Sequence, residues 1–155
     1  MNDFDFYTGT WDVANRRRKD FLEETALFEE ATEWDEFPAV SVASRHFDGR
    51  ANFDEIEFPT LGIRGLTLRL YDPEREEWSL YWVPSRTGKL TTPVTGRFVD
   101  GRGEFFGDDT WAGRDILVRY LWSDMTADSA HWEQAFSVDG GTTWITNWIM
   151  ESTRR

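Results

Sequence analysis

Apolar and polar residues alternate along most of this chain in short runs, the period expected of β-strands with two different faces. The clearest example is a pair of runs near the C-terminus, 132–136 and 144–150, joined by Asp139-Gly140-Gly141. These turn residues tolerate the positive φ angles of a tight hairpin. The pattern predicts a long antiparallel hairpin whose one face carries Trp132, Gln134, Phe136, Trp144, Thr146, Trp148 and Met150.

Similar alternating runs occupy 10–18, 66–71, 78–83 and 116–122, with Gly, Asp and Pro turn signals between them. One segment predicts a short helix, in which Asp20 is the cap, Glu23 completes a capping box, and apolar residues follow to Phe28. The predicted fold class is all-β: an up-and-down antiparallel β-barrel of about 8–10 strands with one short helix after the first strand. We expect 1–155 to form a single domain.

The more apolar face of these strands is expected to line the barrel interior. It consists of Trp11, Trp78, Leu80, Trp82, Tyr120, Trp122, Trp132, Phe136, Trp144, Trp148 and Met150. The same assignment places Asn15, Arg17, Gln134 and Arg97 among the rings, where each polar group needs a protein or ligand partner. The opposite face mixes apolar and polar side chains and predicts a homodimer interface. Its residues are Leu117, Leu121, Ile145, Ile149, Arg69, Tyr71, Tyr81, Arg119, Glu133 and Asn147.

Composition narrows the classes of partner. Aromatic residues make up 16% of the 155 residues, too many large rings to leave in water, so a ring-rich core or pocket is expected. A formal net charge of −12 disfavours nucleic acids and anionic membranes as partners. The chain has no cysteine, which removes disulfides and thiolate chemistry. The N-terminal residues lack the pattern of a signal peptide and no apolar run is long enough to span a membrane, so the predicted location is the cytoplasm.

Enzymatic chemistry has weak support in the sequence. Neither His46 nor His131 lies in a nucleophile-elbow context, and a metal site of His131 with Asp108 and Asp109 has no repeated ligand spacing. Paired carboxylates on strands are the best catalytic candidates, because two could converge across a barrel. They are Asp54, Glu55, Glu57, Glu104 and Glu133. No catalytic residue, metal site or cofactor is assigned.

Arginines in the middle of strands are more informative. Arg17, Arg69, Arg97 and Arg119 all have such positions. An inward guanidinium offers a fork of donors for a carboxylate or another anionic group. The alternative is an ion pair with Glu55 or Glu133, or hydrogen bonds to backbone carbonyls. Whether Arg69, Arg119 and Glu133 face the cavity or an interface stays open at this point.

Several stretches, taken together, resemble a known family. Residues 3–11 end in Gly9-Thr10-Trp11, which resembles the Gly-x-Trp opening strand of lipocalin-like (calycin) barrels. Together with 68–73, 78–82, 96–103, 132–137 and 147–150, the chain is similar to a bacterial lipocalin-like family of unknown function. The resemblance implies a barrel with a central cavity and transfers no functional residue. Ser137 to Trp144 also resembles the Asp box of sialidase propellers, but it occurs once and is interpreted as a shared turn.

The predicted function is binding of a small, largely apolar molecule, aromatic or bearing a carboxylate, in a Trp-rich barrel cavity. The predicted ligand-binding residues are Asn15, Arg17, Trp82, Arg97, Trp122, Gln134 and Trp148. The predicted helix is expected to cover the mouth. An enzyme, such as a hydrolase, isomerase or cyclase using a Glu/Arg pair in the same cavity, is the alternative. A third possibility is a structural dimer whose barrel is filled by side chains.

Overall fold

A computed structural model describes residues 2–155 and shows ten antiparallel strands closed into one barrel. Each strand pairs with its neighbours in sequence, and the first pairs with the last, so the ring closes without an exposed edge. The strands are β1 (Gly9–Arg18), β2 (Trp34–His46), β3 (Ala51–Phe58), β4 (Ile63–Asp72), β5 (Glu77–Pro84), β6 (Val94–Val99), β7 (Arg102–Trp111), β8 (Arg114–Ser123), β9 (Ser129–Ser137) and β10 (Ile145–Arg154). The predicted all-β, up-and-down barrel is therefore confirmed.

The predicted helix is a much smaller element. Only Glu24–Leu27 forms a single 3-10 turn, and Glu23 makes no capping side-chain hydrogen bond. The Asp20 carboxylate accepts hydrogen bonds from Arg18 and Thr25 instead of capping a helix. A second 3-10 turn, Phe47–Gly49, links β2 to β3. None of the helical segments in residues 2–155 is long and apolar enough to cross a membrane.

The predicted inner face is confirmed for every residue except Trp144. The other ten residues of that face belong to the apolar core or line the central cavity. Trp144 instead packs against Phe106, which is exposed, and against the guanidinium of Arg119. The cause is a β-bulge in β10: the register with β9 shifts between Thr146 and Trp148. One extra residue reverses the alternation, so residues before and after the bulge point to opposite faces.

Because of the bulge, two residues that we predicted to lie on the outer face are buried instead. Asn147, the extra residue, is fully buried, and its side-chain oxygen accepts a hydrogen bond from Gln134 Nε2 at 3.0 Å. Ile145 is buried and lies opposite Phe136, a cavity residue. Their burial follows from the reversed alternation and not from their polarity.

The outward assignment of Arg69 and Tyr71 is also wrong. Arg69 lines the cavity, and the Tyr71 ring packs 5.4 Å from that of Trp78, which is fully buried. The strand β4 places its more apolar side outward. An arginine is tolerated inside because β3 supplies buried partners for it, so the usual polarity rule fails on this strand.

The inward placement of Arg97 is wrong as well. Its side chain is exposed and approaches Glu77 Oε2 at 3.8 Å. On β6 the neighbouring residue Phe98 packs against the core, and alternation therefore turns Arg97 to the outside. This arginine does not reach the cavity.

The Asp-box segment is a turn, as interpreted from the sequence. The Asp139 carboxylate accepts hydrogen bonds from the Thr143 amide and the Ser137 hydroxyl, both at 2.8 Å. These hydrogen bonds, the one from the Thr143 amide first, lower the pKa of Asp139. The segment holds the β9–β10 hairpin and lies away from the cavity.

A small charged cluster on the outer face of β9 predicts a pH-dependent contribution to stability. His131 contacts both Glu133, at 2.9 Å, and Glu151. Burial alone would lower the pKa of His131, but hydrogen bonds to the two glutamates and their charges raise it. A raised pKa means that the stabilisation is fully present below the unfolded value of about 6.5 and is lost as the pH rises through the folded pKa.

We therefore expect His131→Gln to lower the melting temperature more at pH 5.5 than at pH 9. The control is His46→Gln, which removes the other histidine, from an exposed position at the end of β2. Thermal unfolding followed by circular dichroism at several pH values measures the effect. An equal loss at both pH values, or the same pH dependence in the control, would contradict this assignment.

Candidate functional site

The barrel is hollow. A cavity of about 320 Å³ runs through its interior and opens at one end. Its walls are mostly aromatic and aliphatic, and several of these inward rings keep accessible surface although they lie inside the barrel. The rings that line it are Phe21, Phe58, Trp82, Trp111, Tyr120, Trp122, Trp132, Phe136 and Trp148.

The closed end is plugged by the N-terminal segment. The Phe4 ring packs edge-on against Trp78 at 4.9 Å, and the Tyr7 ring stacks on Trp11 at 5.0 Å. Asp3 accepts a hydrogen bond from the Trp78 indole nitrogen at 3.0 Å. Because these rings fill the barrel at this end, the cavity has a solid floor.

The open end is bordered by the segments 19–33 and 85–93, which follow β1 and β5. Phe21 and Leu22 both line the cavity, and Leu22 is 73% exposed, so it marks the mouth. A helix over 20–28 was expected to cover the mouth; this segment forms only the 3-10 turn Glu24–Leu27, and from it Phe21 and Leu22 line the cavity. The segment 85–93 contributes Arg86, which is exposed, and Thr91, whose amide is bonded to the Trp82 carbonyl.

A buried arginine holds the first of these segments in place. Arg18 donates to both oxygens of Asp20, at 2.6 and 3.1 Å, and to the backbone carbonyls of Ala26 and Glu29. These contacts with Arg18 are the first cause of the lowered pKa of Asp20. Four hydrogen bonds from one guanidinium tie the loop across the end of β1, which keeps Phe21 over the cavity.

The wall beside β1 presents an unpaired cation. Arg17 lines the cavity, and none of its nitrogens has a hydrogen-bond or carboxylate partner in residues 2–155. Its guanidinium lies 5.0 Å from the rings of Phe21 and Trp148 and 5.4 Å from that of Phe37. Burial lowers the pKa of Arg17; the charge of Asp35, which makes no hydrogen bond or ion pair with it, opposes that shift, and the charge of Arg86 adds to it. Cation–π contacts fix the group but leave its donors free.

The floor presents a second arginine, and this one is neutralised. Arg69 donates to Asn52 Oδ1 at 2.7 Å and to Asp54 Oδ2 at 2.9 Å. The side chains of Arg69 and Asp54 are only 5% and 6% exposed. Phe4, Tyr7 and Trp122 surround the guanidinium with their rings. The floor is therefore polar but carries no net charge from this pair.

Two of the predicted binding residues, Asn15 and Gln134, hold other side chains of the cavity wall in place through hydrogen bonds. Asn15 is buried, does not line the cavity, and accepts a hydrogen bond from Trp148 Nε1 at 3.0 Å. It therefore fixes the Trp148 indole, which does line the cavity. Gln134 lines the cavity and donates to Asn147 on the neighbouring strand.

The Trp82 indole lies flat against the neighbouring strand. A methyl group at Gly65 would come within 1.8 Å of the Trp82 Cη2 atom, so only glycine lets the ring lie this close. The ring is thereby held against the wall. Gly65 thus contributes to the open volume without lining it.

The wall opposite Arg17 is acidic. Around the ring β7 lies four strands from β1, and it contributes Asp108 and Asp109 to the cavity. Burial, followed by the charge of Asp109, raises the pKa of Tyr120 to about 12. The Tyr120 phenol therefore stays protonated at neutral pH. An anion in the mouth is repelled from β7 and attracted to β1.

The structure brings together five of the predicted binding residues in one cavity: Arg17, Trp82, Trp122, Gln134 and Trp148. Their role in binding stays a prediction. Sequence analysis named Asp54 and Arg69 as separate candidates, but it did not predict their pairing and missed Asn52. The available signal was the polar alternation of Asn52 and Asp54, one strand before an isolated arginine.

Among the five carboxylates considered as catalytic candidates, Asp54 lines the cavity and the four glutamates do not. The carboxylates that line the cavity are aspartates, so the expected Glu/Arg pair is not formed there. His131 contacts two glutamates on the outer face, far along the strands from Asp108 and Asp109 at the mouth. Within residues 2–155, no cluster of three or more His, Asp or Glu side chains has an arrangement suited to a metal ion.

Comparison with known proteins adds no assignment: no protein-family model and no curated protein sequence matches this chain. The closed ten-stranded antiparallel barrel is compatible with a lipocalin-like fold.

Proposed function

We propose that this protein binds a small, largely apolar molecule bearing one anionic group, with that group against Arg17. The observation that supports this most directly is the unpaired state of Arg17 beside an open cavity. A charge in a ring-lined wall is expensive unless it has a partner, and a bound carboxylate would supply one through two parallel hydrogen bonds. The contrast with Arg69, which Asp54 neutralises, indicates that the fold does pair its buried cations when no ligand is needed.

The size and walls of the cavity support a compact ligand. Its volume of about 320 Å³ lies at the lower end of the range for small-molecule sites. The indoles of Trp82, Trp122 and Trp148 provide flat apolar surface, and aromatic rings favour stacked or edge-on contacts. A hollow interior of this size also disfavours the interpretation as a filled structural barrel.

A titration with naphthalene-2-carboxylate tests the proposal. At roughly 0.5 kcal/mol for each of about thirteen non-hydrogen atoms, we expect a Kd of about 10–100 µM. Binding is measured by quenching of Trp fluorescence and by calorimetry. Gly65→Ala serves as the blocked-cavity variant, because the added methyl group must push the Trp82 ring off the wall. We expect it to weaken binding at least tenfold while the protein stays folded.

The matched control ligand is naphthalene-2-methanol, which has the same rings and no charge. The proposal predicts that it binds at least tenfold more weakly than the carboxylate. Equal affinity of the two ligands, or failure of a panel of aromatic carboxylates to bind, would overturn the proposal.

We further propose that the chain is a calycin barrel that works in the cytoplasm as a homodimer. The Gly-x-Trp start of β1 and the closed up-and-down barrel support the relationship. An outward apolar row on β4 and β5, in which Leu66 faces Val83 and Leu68 faces Tyr81, supports self-association. All four residues are partly exposed. Sedimentation as a monomer at micromolar concentration would count against the dimer.

A further inference from the structure

We infer that the ligand is a planar two-ring aromatic monoanion with a neutral hydrogen-bond acceptor, such as a hydroxyl or carbonyl, at the end opposite its carboxylate. This inference rests on the proposed function and assigns the floor of the cavity a recognition role of its own. Arg17 at the mouth would hold the anionic end. Arg69 at the floor would hold the neutral end.

The floor has unused donors that point to an acceptor. A guanidinium has five N–H groups, and Arg69 uses only two of them, toward Asn52 and Asp54. Its Nε is buried with no partner, and the side chain lines the cavity. A buried donor without an acceptor costs free energy, so a ligand oxygen at this point would relieve that cost. Tyr120 also lines the cavity, and because burial raises its pKa to about 12 its hydroxyl stays protonated and can donate as well.

The charge of the floor decides which acceptor fits. Asp54 already pairs with Arg69 at 2.9 Å, and both side chains are almost fully buried. A second carboxylate at this point would bring two negative charges to one guanidinium and leave one of them unpaired in a poorly solvated site. A neutral oxygen meets the free donors without that repulsion. The two ends of the cavity therefore select different groups, an anion at Arg17 and a neutral acceptor at Arg69.

The length of the cavity matches two fused rings. Trp148 contacts Arg17, and Ser152 lies beside Tyr7, whose ring contacts Arg69. These two residues of β10 are four positions apart, which is about 13 Å along a strand. Arg17 therefore lies near one end of this span, and Arg69 lies near the other. A two-ring system with a polar substituent at each end bridges the remaining distance.

The volume excludes long acyl chains. An engineered apolar cavity of about 150 Å³ holds benzene. The cavity of about 320 Å³ is roughly twice that size and suits two rings. An extended chain of about sixteen carbons needs more than this volume if six ring carbons take about 150 Å³. The flat indole walls also match a planar ligand better than a flexible one.

Three naphthalene carboxylates and hexadecanoate test the inference by calorimetry. The key pair consists of two isomers, 6-hydroxynaphthalene-2-carboxylate, whose hydroxyl lies opposite the carboxylate, and 3-hydroxynaphthalene-2-carboxylate, whose hydroxyl lies beside it. We expect the 6-hydroxy isomer to bind about tenfold more tightly than both the 3-hydroxy isomer and the unsubstituted compound. Hexadecanoate is expected to bind more weakly than all three.

The variant Arg69→Lys keeps a positive charge beside Asp54 but removes the fork of donors. In this variant we expect the preference for the 6-hydroxy isomer over the 3-hydroxy isomer to fall from about tenfold to less than about twofold. The matched control is Arg64→Lys on the same strand, where the side chain is exposed beside Glu55 and Glu57. It should keep the wild-type preference.

The outcomes separate this inference from the proposed function. Binding of naphthalene-2-carboxylate with no preference between the isomers, or a preference that survives in Arg69→Lys, overturns the inference and leaves the proposed function standing. Tighter binding of hexadecanoate than of any naphthalene compound also overturns the assigned class. Failure of all three naphthalene carboxylates to bind overturns both.

Discussion

Replacing Asp54 with alanine is expected to destabilise the barrel by about 3–5 kcal/mol. The reason is the charge that remains. Arg69 is 5% exposed, so loss of Asp54 leaves a cation without a counter-charge among three rings. The mutation removes the Coulomb attraction but not the cost of desolvating the guanidinium. This is the largest single-residue effect on folding that we expect from a polar residue of this chain.

Denaturant unfolding of Asp54→Ala and of the double variant Asp54→Leu/Arg69→Met measures the effect. The double variant removes both charges with apolar groups of similar volume, and we expect it to recover most of the loss. Glu55→Ala, one residue along β3 and exposed near Arg64, is the control and should cost less than about 0.5 kcal/mol. Similar losses in the single and double variants would show that packing, not an uncompensated charge, explains the destabilisation.

Alternation predicted most of the barrel because the inward rings are so large. On β9, Trp132, Gln134 and Phe136 all point inward, and on β8 Tyr120 and Trp122 do the same. In a chain of 155 residues, the barrel interior is the main site where rings of this size can be buried. Turn chemistry supplied the rest, since the Asp139-Gly140-Gly141 hairpin has the positive φ angles that its glycines permit.

The errors have a common physical origin in the phase of the alternation. From Trp144 to Met150 large side chains recur at every second position, yet the bulge at Asn147 turns the residues before it to the opposite face of the sheet. A bulge is fixed by pairing with the neighbouring strand, which a single run of sequence does not contain. On β4 the pattern placed Arg69 and Tyr71 on the outer face, but the side on which they lie is set by the buried partners of Arg69 on β3.

The two inward arginines show what can be learned about a site before a structure. Arg17 shares the phase of Trp11, an obvious core residue of the same strand, and β1 has no bulge between them. Its position therefore followed directly from the pattern. Arg69 has no such neighbour, and its pairing with Asn52 and Asp54 depends on the register of β3 against β4. The inward position of such a charged residue can be predicted only when the strand register that brings it to its partners is known.

Replacing Arg17 with glutamine is expected to weaken binding of naphthalene-2-carboxylate by about ten- to a hundredfold. Hydrogen bonds from a charged donor to a carboxylate are worth about 1.5–3 kcal/mol. The other cations that line the cavity are Arg69, which Asp54 neutralises, and Arg86, which is exposed to solvent and screened. The amide of glutamine keeps a hydrogen-bond donor and removes the charge. The selectivity for the carboxylate over naphthalene-2-methanol should fall to near one.

Two further variants make this prediction specific to the inward cation. Arg16→Gln removes the neighbouring arginine, which is exposed on the outer face near Glu36, and changes the net charge by the same amount. It should keep the selectivity, because charges on the outer surface are screened by solvent and salt. Arg17→Lys should restore part of it, since lysine keeps the charge but loses the fork. Equal losses of selectivity in Arg16→Gln and Arg17→Gln would mean that overall charge governs the affinity, and the anion would then have no defined position in the cavity.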